Sequence, residues 1–369
     1  MEVTESSILS KITGQKIAEV KFTELEIVKD FLNKDSSDGE FESELKNILA
    51  QNVEKLAELM THETGKPLAQ SIEELRTAID TLETSDDKTK SNRIIVIGSF
   101  ATPIRDLVNA VTTHNFSKLV YKSSTKVSST MSFLGNKISE NPSLNSKILV
   151  VIMDKAQLAE LLSIENFDKV VKYTRGKMKG IVNLDDRSSN DRLMIIDESV
   201  DINHSTGLIA EYIFNYQKST SYRLQNIFVA SEIYDQFAQK LIEKIDLVIE
   251  QGRADNINVN FVDNLKNYQR EKLKSILLEI ISFGADVLYG TIQDQIKGPI
   301  LLGCDTDMME YYRKILWGPL LFLVKYDNFM TLPNIIKDLN EKEGIAFLKE
   351  ANFDFLKKRS KLLLINYSK

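Results

Sequence analysis

Cysteine is almost absent from this sequence of 369 residues: Cys304 is the only one. A disulfide within the chain needs two cysteines, so none can form, and we expect a protein of a reducing compartment such as the cytoplasm. The first residues also lack the basic stretch and apolar core of a secretory signal. We therefore predict a cytoplasmic location.

Long hydrophobic runs and an excess of basic charge are lacking as well. The apolar run at residues 318–324 (GPLLFLV) is far shorter than the roughly 20 residues that span a bilayer. The chain has 47 basic and 53 acidic residues, with a formal net charge of -6. This balance gives no electrostatic reason to bind nucleic acid or an anionic membrane, and we expect neither as a partner.

Histidine is also scarce, and its spacing suggests no active centre. His62, His114 and His204 lie far apart in the sequence, and no Gly-x-Ser-x-Gly segment surrounds any serine. We predict neither a catalytic triad nor a metal site, and a structural role for each histidine.

The residues that are present predict an α/β protein. A length of 369 residues suits about two domains. Apolar residues recur at helical spacing over residues 45–60, and this helix should end at Gly65, which can adopt the left-handed conformation, before Pro67.

From residue 93 onwards, short β-branched runs alternate with helical patterns. The runs are RIIVIG (93–98), KLVYK (118–122), KILVVIM (147–153) and DKVVKYT (168–174), followed by two more near residues 180–184 and 193–197. Strands that are apolar on both faces and alternate with helices predict a doubly wound parallel sheet, with a ligand groove at the carboxyl ends of the strands.

Three segments resemble the aldehyde dehydrogenase superfamily. HETGKP (62–67) lies between two predicted helices, WGP (317–319) precedes an apolar run, and a strand-then-helix unit (223–245) follows a polar turn (214–221). The resemblance implies two Rossmann-type α/β domains: a coenzyme-binding type over residues 1–197 and a catalytic type over residues 198–369.

In that superfamily, a cysteine in the polar turn attacks the aldehyde. Ser219, Thr220 and Ser221 occupy the corresponding turn here. A hydroxyl is essentially never ionised without a dedicated base, whereas a thiol ionises readily. Cys304 lies on a different segment, and we interpret it as passive.

Two further catalytic positions are altered by comparison with the superfamily. Ala101, in GSFATP (98–103), occupies the position of an asparagine whose side-chain amide binds the oxyanion. Losing one such donor costs around 3 kcal/mol of transition-state stabilisation. Asp185, in NLDDR (183–187), is the nearest match to the carboxylate base, although the paired glycines that follow it in the family are missing.

The resemblance also identifies cofactor positions. Lys122 matches a lysine that reaches the adenosine ribose, although a solvent-facing lysine is the simpler reading. Trp317 belongs to the turn that matches FGP, while Ile315 replaces a ribose-binding glutamate and Arg175 replaces a glycine that faces the phosphates. We expect no cofactor, and NAD or NADP if any.

Assembly should differ from the family pattern too. Residues 84–90 are polar where family members insert strands of an oligomerisation sheet, so we expect that sheet to be reduced or absent and no family-type tetramer. The leading hypothesis is a shortened, degenerate member that has lost catalysis and has a binding or structural role with an unidentified protein partner. The alternatives are an NAD(P)-dependent oxidoreductase acting on an aldehyde with a rearranged site, or a sensor of another metabolite.

Overall fold

The computed structural model divides the chain into two compact units. The first comprises residues 1–188 and 253–259, and the second comprises residues 189–252 and 260–369. The residues that the structure describes are 6–20, 22–36, 41–83, 89–174, 178, 181, 183–187, 192–216, 224–263, 265–291, 298–308, 319–337, 343–359 and 363–366.

The first unit alternates helices and strands. Its elements are β1 (Ser6–Leu9), β2 (Lys16–Val20), α1 (Leu25–Asn33), α2 (Phe41–Gln51), α3 (Val53–Thr64), α4 (Leu68–Glu83), β3 (Thr89–Lys90), β4 (Arg93–Ile97), α5 (Pro103–Thr113), β5 (His114–Asn115), β6 (Lys118–Ser123), α6 (Ser128–Ser139), α7 (Pro142–Asn145), β7 (Ile148–Ile152), α8 (Lys155–Ile164), β8 (Lys169–Lys172) and β9 (Leu184–Asp186).

The first sheet is parallel throughout, with strand order β7-β6-β4-β8-β9. Alternate residues of β4 enter different cores. Ile94 and Val96 pack with apolar residues of α4, α5 and α6, whereas Ile95 and Ile97 pack with residues of α1 and α8. Because the chain runs outward from β4 through β6 to β7 and then returns to β8 on the other side of β4, the strand order reverses there. A ligand crevice is expected at the carboxyl ends of the strands at such a reversal.

The second unit repeats this architecture. Its elements are β10 (Arg192–Ile196), α9 (Ile202–Tyr216), β11 (Leu224–Ala230), α10 (Tyr234–Val248), α11 (Asn267–Ser282), β12 (Asp286–Tyr289), β13 (Ile300–Asp305), β14 (Leu320–Tyr326), α12 (Leu332–Lys337), β15 (Glu343–Phe347), α13 (Glu350–Arg359) and β16 (Leu363–Asn366).

The second sheet has the order β12-β13-β14-β11-β10-β15-β16, and only the β12–β13 pairing is antiparallel. Phe228 of β11 and Phe322 of β14 are fully buried in the core of this unit, to which α10 contributes Phe237, Leu241 and Ile245. The last three are spaced four residues apart and so lie on one face of α10. The predicted doubly wound α/β architecture is therefore confirmed.

Several boundaries differ from the predicted ones. β10 pairs within the second sheet, so the second unit begins before residue 197, and residues 253–259 return to the first unit. The helix predicted over residues 45–60 is two helices, separated at Asn52, whose side-chain amide donates to the Ile48 carbonyl at 2.8 Å. Asparagine competes for backbone groups in this way and often interrupts helices. The strand predicted near residues 180–184 is β9, further along the chain.

None of the helices in the described part of the chain is long and apolar enough to cross a membrane.

Candidate functional site

The carboxyl end of β4 makes a tight turn against β6. The Gly98 amide donates to the Lys122 carbonyl at 3.0 Å. A Cβ atom at Gly98 would lie 1.8 Å from the Tyr121 hydroxyl oxygen, so only glycine fits. That hydroxyl donates to the Pro103 carbonyl at 2.8 Å and ties the turn to the first residue of α5.

The HETGKP segment ends α3 as the sequence predicted. Gly65 has φ 72° and ψ 14°, and its amide donates to the Thr61 carbonyl at 2.8 Å. Glycine adopts this left-handed conformation without a steric penalty. The cap directs the next residues away from α3 and towards the start of α4.

Glu63 of this segment closes the N-terminus of α6. Its carboxylate is 2% exposed and accepts hydrogen bonds from the Ser129 amide at 2.6 Å, the Thr130 amide at 2.9 Å and the Thr130 hydroxyl at 2.5 Å. Burial raises the pKa of Glu63, and these hydrogen bonds oppose that rise. The first turn of α6 therefore has a protein carboxylate where an anionic ligand could otherwise bind.

Lys66 joins the same segment to the turn after β4. Its ammonium forms a buried ion pair with Glu74 of α4 and donates to the Ala101 carbonyl at 2.9 Å. The other Glu74 oxygen accepts from the amides of Ile104 and Arg105, at 3.1 and 3.3 Å, and so closes the N-terminus of α5. In this structure the HETGKP segment therefore holds α3, α4 and α6 and the turn after β4 together through Glu63 and Lys66.

Asp106 is a buried titratable residue that the sequence analysis missed. It is 1% exposed, and it accepts hydrogen bonds from the Ser99 amide at 2.6 Å and the Thr102 hydroxyl at 2.9 Å. Burial raises the pKa of Asp106 to about 7, the Glu74 charge adds to the rise, and the hydrogen bonds oppose it. The available signal was its position in the first turn of a helix that begins with Thr102-Pro103, where acidic residues favour the helix dipole.

Ala101, the predicted oxyanion position, lies in this braced turn and is 4% exposed. Its only polar groups are those of the main chain, and its carbonyl already accepts a hydrogen bond from Lys66. The turn is thus held in shape, but the side chain at position 101 has no donor for an oxyanion.

Lys122, the predicted cofactor lysine, lies near the carboxyl end of β6 and is half-buried. Burial lowers the pKa of its ammonium, with Asp154 opposing and Lys155 reinforcing this effect. Within the described part of the chain, no hydrogen bond or ion pair holds this ammonium. It remains capable of donating to a ligand hydroxyl.

Asp185, the predicted base position, lies in β9 at the edge of the first sheet. Its Oδ2 contacts Arg187 Nη2 at 3.0 Å and Nε at 3.1 Å, and Lys169 Nζ at 3.4 Å. Burial opposes ionisation, but the hydrogen bond and charge of Arg187, together with Lys169, outweigh it and lower the pKa of Asp185. No hydrogen bond or ion pair among the described residues joins Asp185, Ala101 and Lys122.

Other predicted site positions lie outside the described residues: Ser219, Thr220 and Ser221 of the nucleophile turn, and Arg175, Ile315 and Trp317 of the cofactor region. Cys304 is described and lies in β13 of the second unit. It is 7% exposed and contributes to the hydrophobic core, with Sγ 3.8 Å from the Leu323 carbonyl oxygen. A thiol in that setting acts as a small apolar residue.

The histidines lie on separate elements, as their spacing suggested. His62 on α3 has Nδ1 2.8 Å from the Ser10 hydroxyl oxygen, His204 on α9 is exposed, and His114 begins β5. No group of three or more metal-ligating side chains occurs within the described part of the chain.

Three described helices of the first unit, α5, α6 and α8, offer a poor fit to a dinucleotide pyrophosphate. Such a group binds where backbone amides at a helix N-terminus are open. Glu74 closes α5, Glu63 closes α6, and Asp154 caps α8 by accepting from the Gln157 amide at 2.8 Å. The connection from β8 to β9 is irregular at its two separately described residues, Met178 and Ile181. Lys122 is thus the one predicted cofactor contact among the described residues that is open to a ligand.

Comparison with known proteins identifies related sequences. The model of the aldehyde dehydrogenase family matches residues 188–343, most of the second unit. A 3-sulfolactaldehyde dehydrogenase from Priestia aryabhattai is 24% identical over 387 aligned positions, covering 91% of this chain and 80% of the relative. A protein of the same name from Priestia megaterium matches equally well.

Solved structures share the fold across nearly the whole chain. An oxidoreductase from Marinobacter aquaeolei superimposes with a TM-score of 0.82 at 14% identity, covering 98% of this chain and 86% of that one. An NADP-dependent glyceraldehyde-3-phosphate dehydrogenase from Bacillus halodurans, complexed with NADP, has a TM-score of 0.78 at 16% identity, with 98% and 87% coverage. At these identities the similarity establishes the fold.

Proposed function

We propose that this chain is a member of the aldehyde dehydrogenase superfamily that no longer oxidises aldehydes and instead has a binding or structural role. The observation that carries the proposal is the environment of Asp185. A general base must take a proton from water, and its efficiency falls as its pKa falls below the working pH. Arg187 and Lys169 hold the pKa of this carboxylate down.

The turn at Ala101 supports the same conclusion. The structure keeps the brace that shapes this turn, from Lys66 and Glu74, while the side chain that would stabilise an oxyanion is a methyl group. Removing one preorganised donor costs around 3 kcal/mol of transition-state stabilisation. The residues that pack the site are therefore present, whereas the residues that would take part in the reaction are replaced.

We further propose that the protein has no resident dinucleotide, acts in the cytoplasm with a protein partner, and does not form the tetramer of its family. Closed helix N-termini at α5, α6 and α8 support the first point. Cell fractionation tests the location, co-purification from cytoplasmic extract tests the partner, and a stable tetramer in sedimentation would contradict the assembly proposal.

A second candidate function is NAD(P)-dependent oxidation of an aldehyde with rearranged residues. The half-buried ammonium of Lys122 favours it, because it matches the family's ribose contact and no described residue holds it. The name of the Priestia relative suggests 3-sulfolactaldehyde as a substrate to include.

One experiment separates the two functions. Formation of reduced nicotinamide is measured with NAD and with NADP on short aldehydes and on 3-sulfolactaldehyde, and calorimetry measures binding of each dinucleotide. Lys122→Ala serves as the matched background. We expect no rate above that background and no measurable dinucleotide affinity; a rate that depends on Lys122 would establish the second function.

A further inference from the structure

The last turn of α13 carries three consecutive cations, Lys357, Lys358 and Arg359, and all three are exposed. No carboxylate in the described part of the chain forms a salt bridge with any of them, whereas the exposed Lys240 pairs with Glu243 at 2.8 Å. Basic residues in the last turn of a helix favour its dipole. These three therefore leave positive charge available to an anionic partner.

Aromatic rings extend from this turn to the end of β14. The guanidinium carbon of Arg359 lies 4.3 Å from the centre of the Phe355 ring. That ring packs against Phe329 with 5.9 Å between the ring centres, and Phe329 packs against Tyr326 at 6.1 Å. Phe329 and Phe355 are partly exposed, and the neighbouring Met330 is 62% exposed. The rings therefore form an apolar strip that begins beside the cations and is open to solvent.

One side of α13 combines the cations with this strip. Phe355 lies three residues before Lys358 and four before Arg359, so the three side chains are neighbours on the helix surface. Lys357 lies on the other side of the helix, where its ammonium is 5.9 Å from the centre of the Phe353 ring. We name the first surface the α13 face; it comprises Phe329, Met330, Phe355, Lys358 and Arg359.

We propose that the α13 face is a docking surface for an acidic segment of a protein partner. Its carboxylates bind Lys358 and Arg359, and an apolar side chain of the same segment packs on the strip. Arginine binds carboxylates through paired hydrogen bonds, and aromatic and arginine side chains supply much of the binding energy at protein interfaces. The inference rests on the proposed binding role with a protein partner, and it names the chemistry of that partner.

Other occupants fit this surface less well. A two-fold contact between two copies of this chain would place the α13 face against itself and bring like charges together. Nucleic acid is disfavoured because the chain has a formal net charge of -6 and repels a polyanion beyond the immediate contact. An acidic peptide segment carries fewer charges and supplies the apolar side chain that the strip can bind.

The test measures the fluorescence anisotropy of a labelled peptide, in which glutamates flank one phenylalanine, as the full chain is added. A peptide with lysine in place of each glutamate and a short poly-uridylate RNA serve as comparisons. We expect saturable binding of the glutamate peptide that weakens as salt is added. The lysine peptide should not bind, and the RNA should bind more weakly than the glutamate peptide.

Two matched variants locate the site. The double substitution Lys358→Gln with Arg359→Gln removes both cations of the α13 face and should weaken binding of the glutamate peptide about tenfold or more. Lys357→Gln removes a cation of the same turn on the other side of the helix, and should change the affinity less than about twofold.

The proposal is overturned if the glutamate peptide does not bind, if the RNA binds more tightly, or if the double variant binds the peptide as tightly as Lys357→Gln does. None of these outcomes bears on the proposed loss of catalysis, which the rate of nicotinamide reduction decides. Co-purification decides separately whether the protein has a partner.

Discussion

Replacing Asp106 by asparagine tests whether a buried carboxylic acid makes this fold sensitive to pH. The side chain is 1% exposed beneath the turn at residues 98–103, and its oxygens accept hydrogen bonds from Ser99 and Thr102. Asparagine has nearly the same shape and one carbonyl oxygen to accept with, but it cannot ionise. The perturbation therefore removes the charge and leaves most of the packing.

The expected magnitude follows from the pKa of Asp106, which is raised from 3.8 to about 7. Each pKa unit corresponds to 1.36 kcal/mol, so the difference corresponds to about 4 kcal/mol. Between these two pH values the folded protein keeps a proton that the unfolded chain has released. The contribution of Asp106 to the free energy of unfolding is thus fully present below pH 3.8 and is lost as the pH rises through 7.

Urea unfolding followed by circular dichroism measures this effect. The quantity of interest is the free energy of unfolding of Asp106→Asn minus that of the wild type, which cancels the titration of all other groups. We expect this difference to increase by about 2.5 kcal/mol between about pH 5 and pH 8 and to change little above that. The control Asp30→Asn makes the same substitution at an exposed position. Parallel profiles for Asp106→Asn and the wild type would refute the reasoning.

Three further substitutions have defined outcomes. Lys66→Met leaves the Glu74 carboxylate buried without its cation and should lower the free energy of unfolding by about 3 to 5 kcal/mol; adding Glu74→Gln should restore part of the loss in urea unfolding. Glu63→Ala removes the acceptor at the start of α6 and should cost about 2 kcal/mol, with faster amide hydrogen exchange at Ser129. His114→Phe should remove a decline in wild-type stability as the pH falls from 6.5 to about 4, where the unfolded chain binds a proton that the buried ring resists; thermal unfolding across that range measures it.

Exposed counterparts serve as controls for these three substitutions. Lys155→Met, Glu160→Ala and His204→Phe replace the same residue types on the surface and should change stability by less than about 0.5 kcal/mol. If the buried substitutions change the free energy of unfolding no more than these controls do, the buried contacts do not stabilise the folded state.

Much of the fold could be predicted because its signals are local. Alternating apolar strands and helices from residue 93 onwards indicated the doubly wound sheet, and Gly65 before Pro67 indicated the end of α3. The interruption at Asn52 was missed because the apolar spacing continues through it, and a side-chain hydrogen bond to the Ile48 carbonyl competes with that pattern.

The residue types at the candidate site could be predicted from the sequence, but the groups that surround each residue could not. Comparing motifs could show that Ala101 lacks an amide and that Asp185 keeps a carboxylate. It could not show that Lys169 pairs with that carboxylate, since Lys169 belongs to a different strand. Asp106 and His114 carried no motif at all, and their properties come from burial.

The sequence by itself determined the order of strands and helices, the turn at Gly65 and the residue types at each reactive position, because these depend on neighbours along the chain. Only the tertiary structure decided which charges meet. Glu63 reaches an amide 66 positions away, and Lys66 reaches a carbonyl 35 positions away. Such pairings depend on which strands and helices are neighbours in the folded protein. Burial of the paired groups then shifts their pKa values.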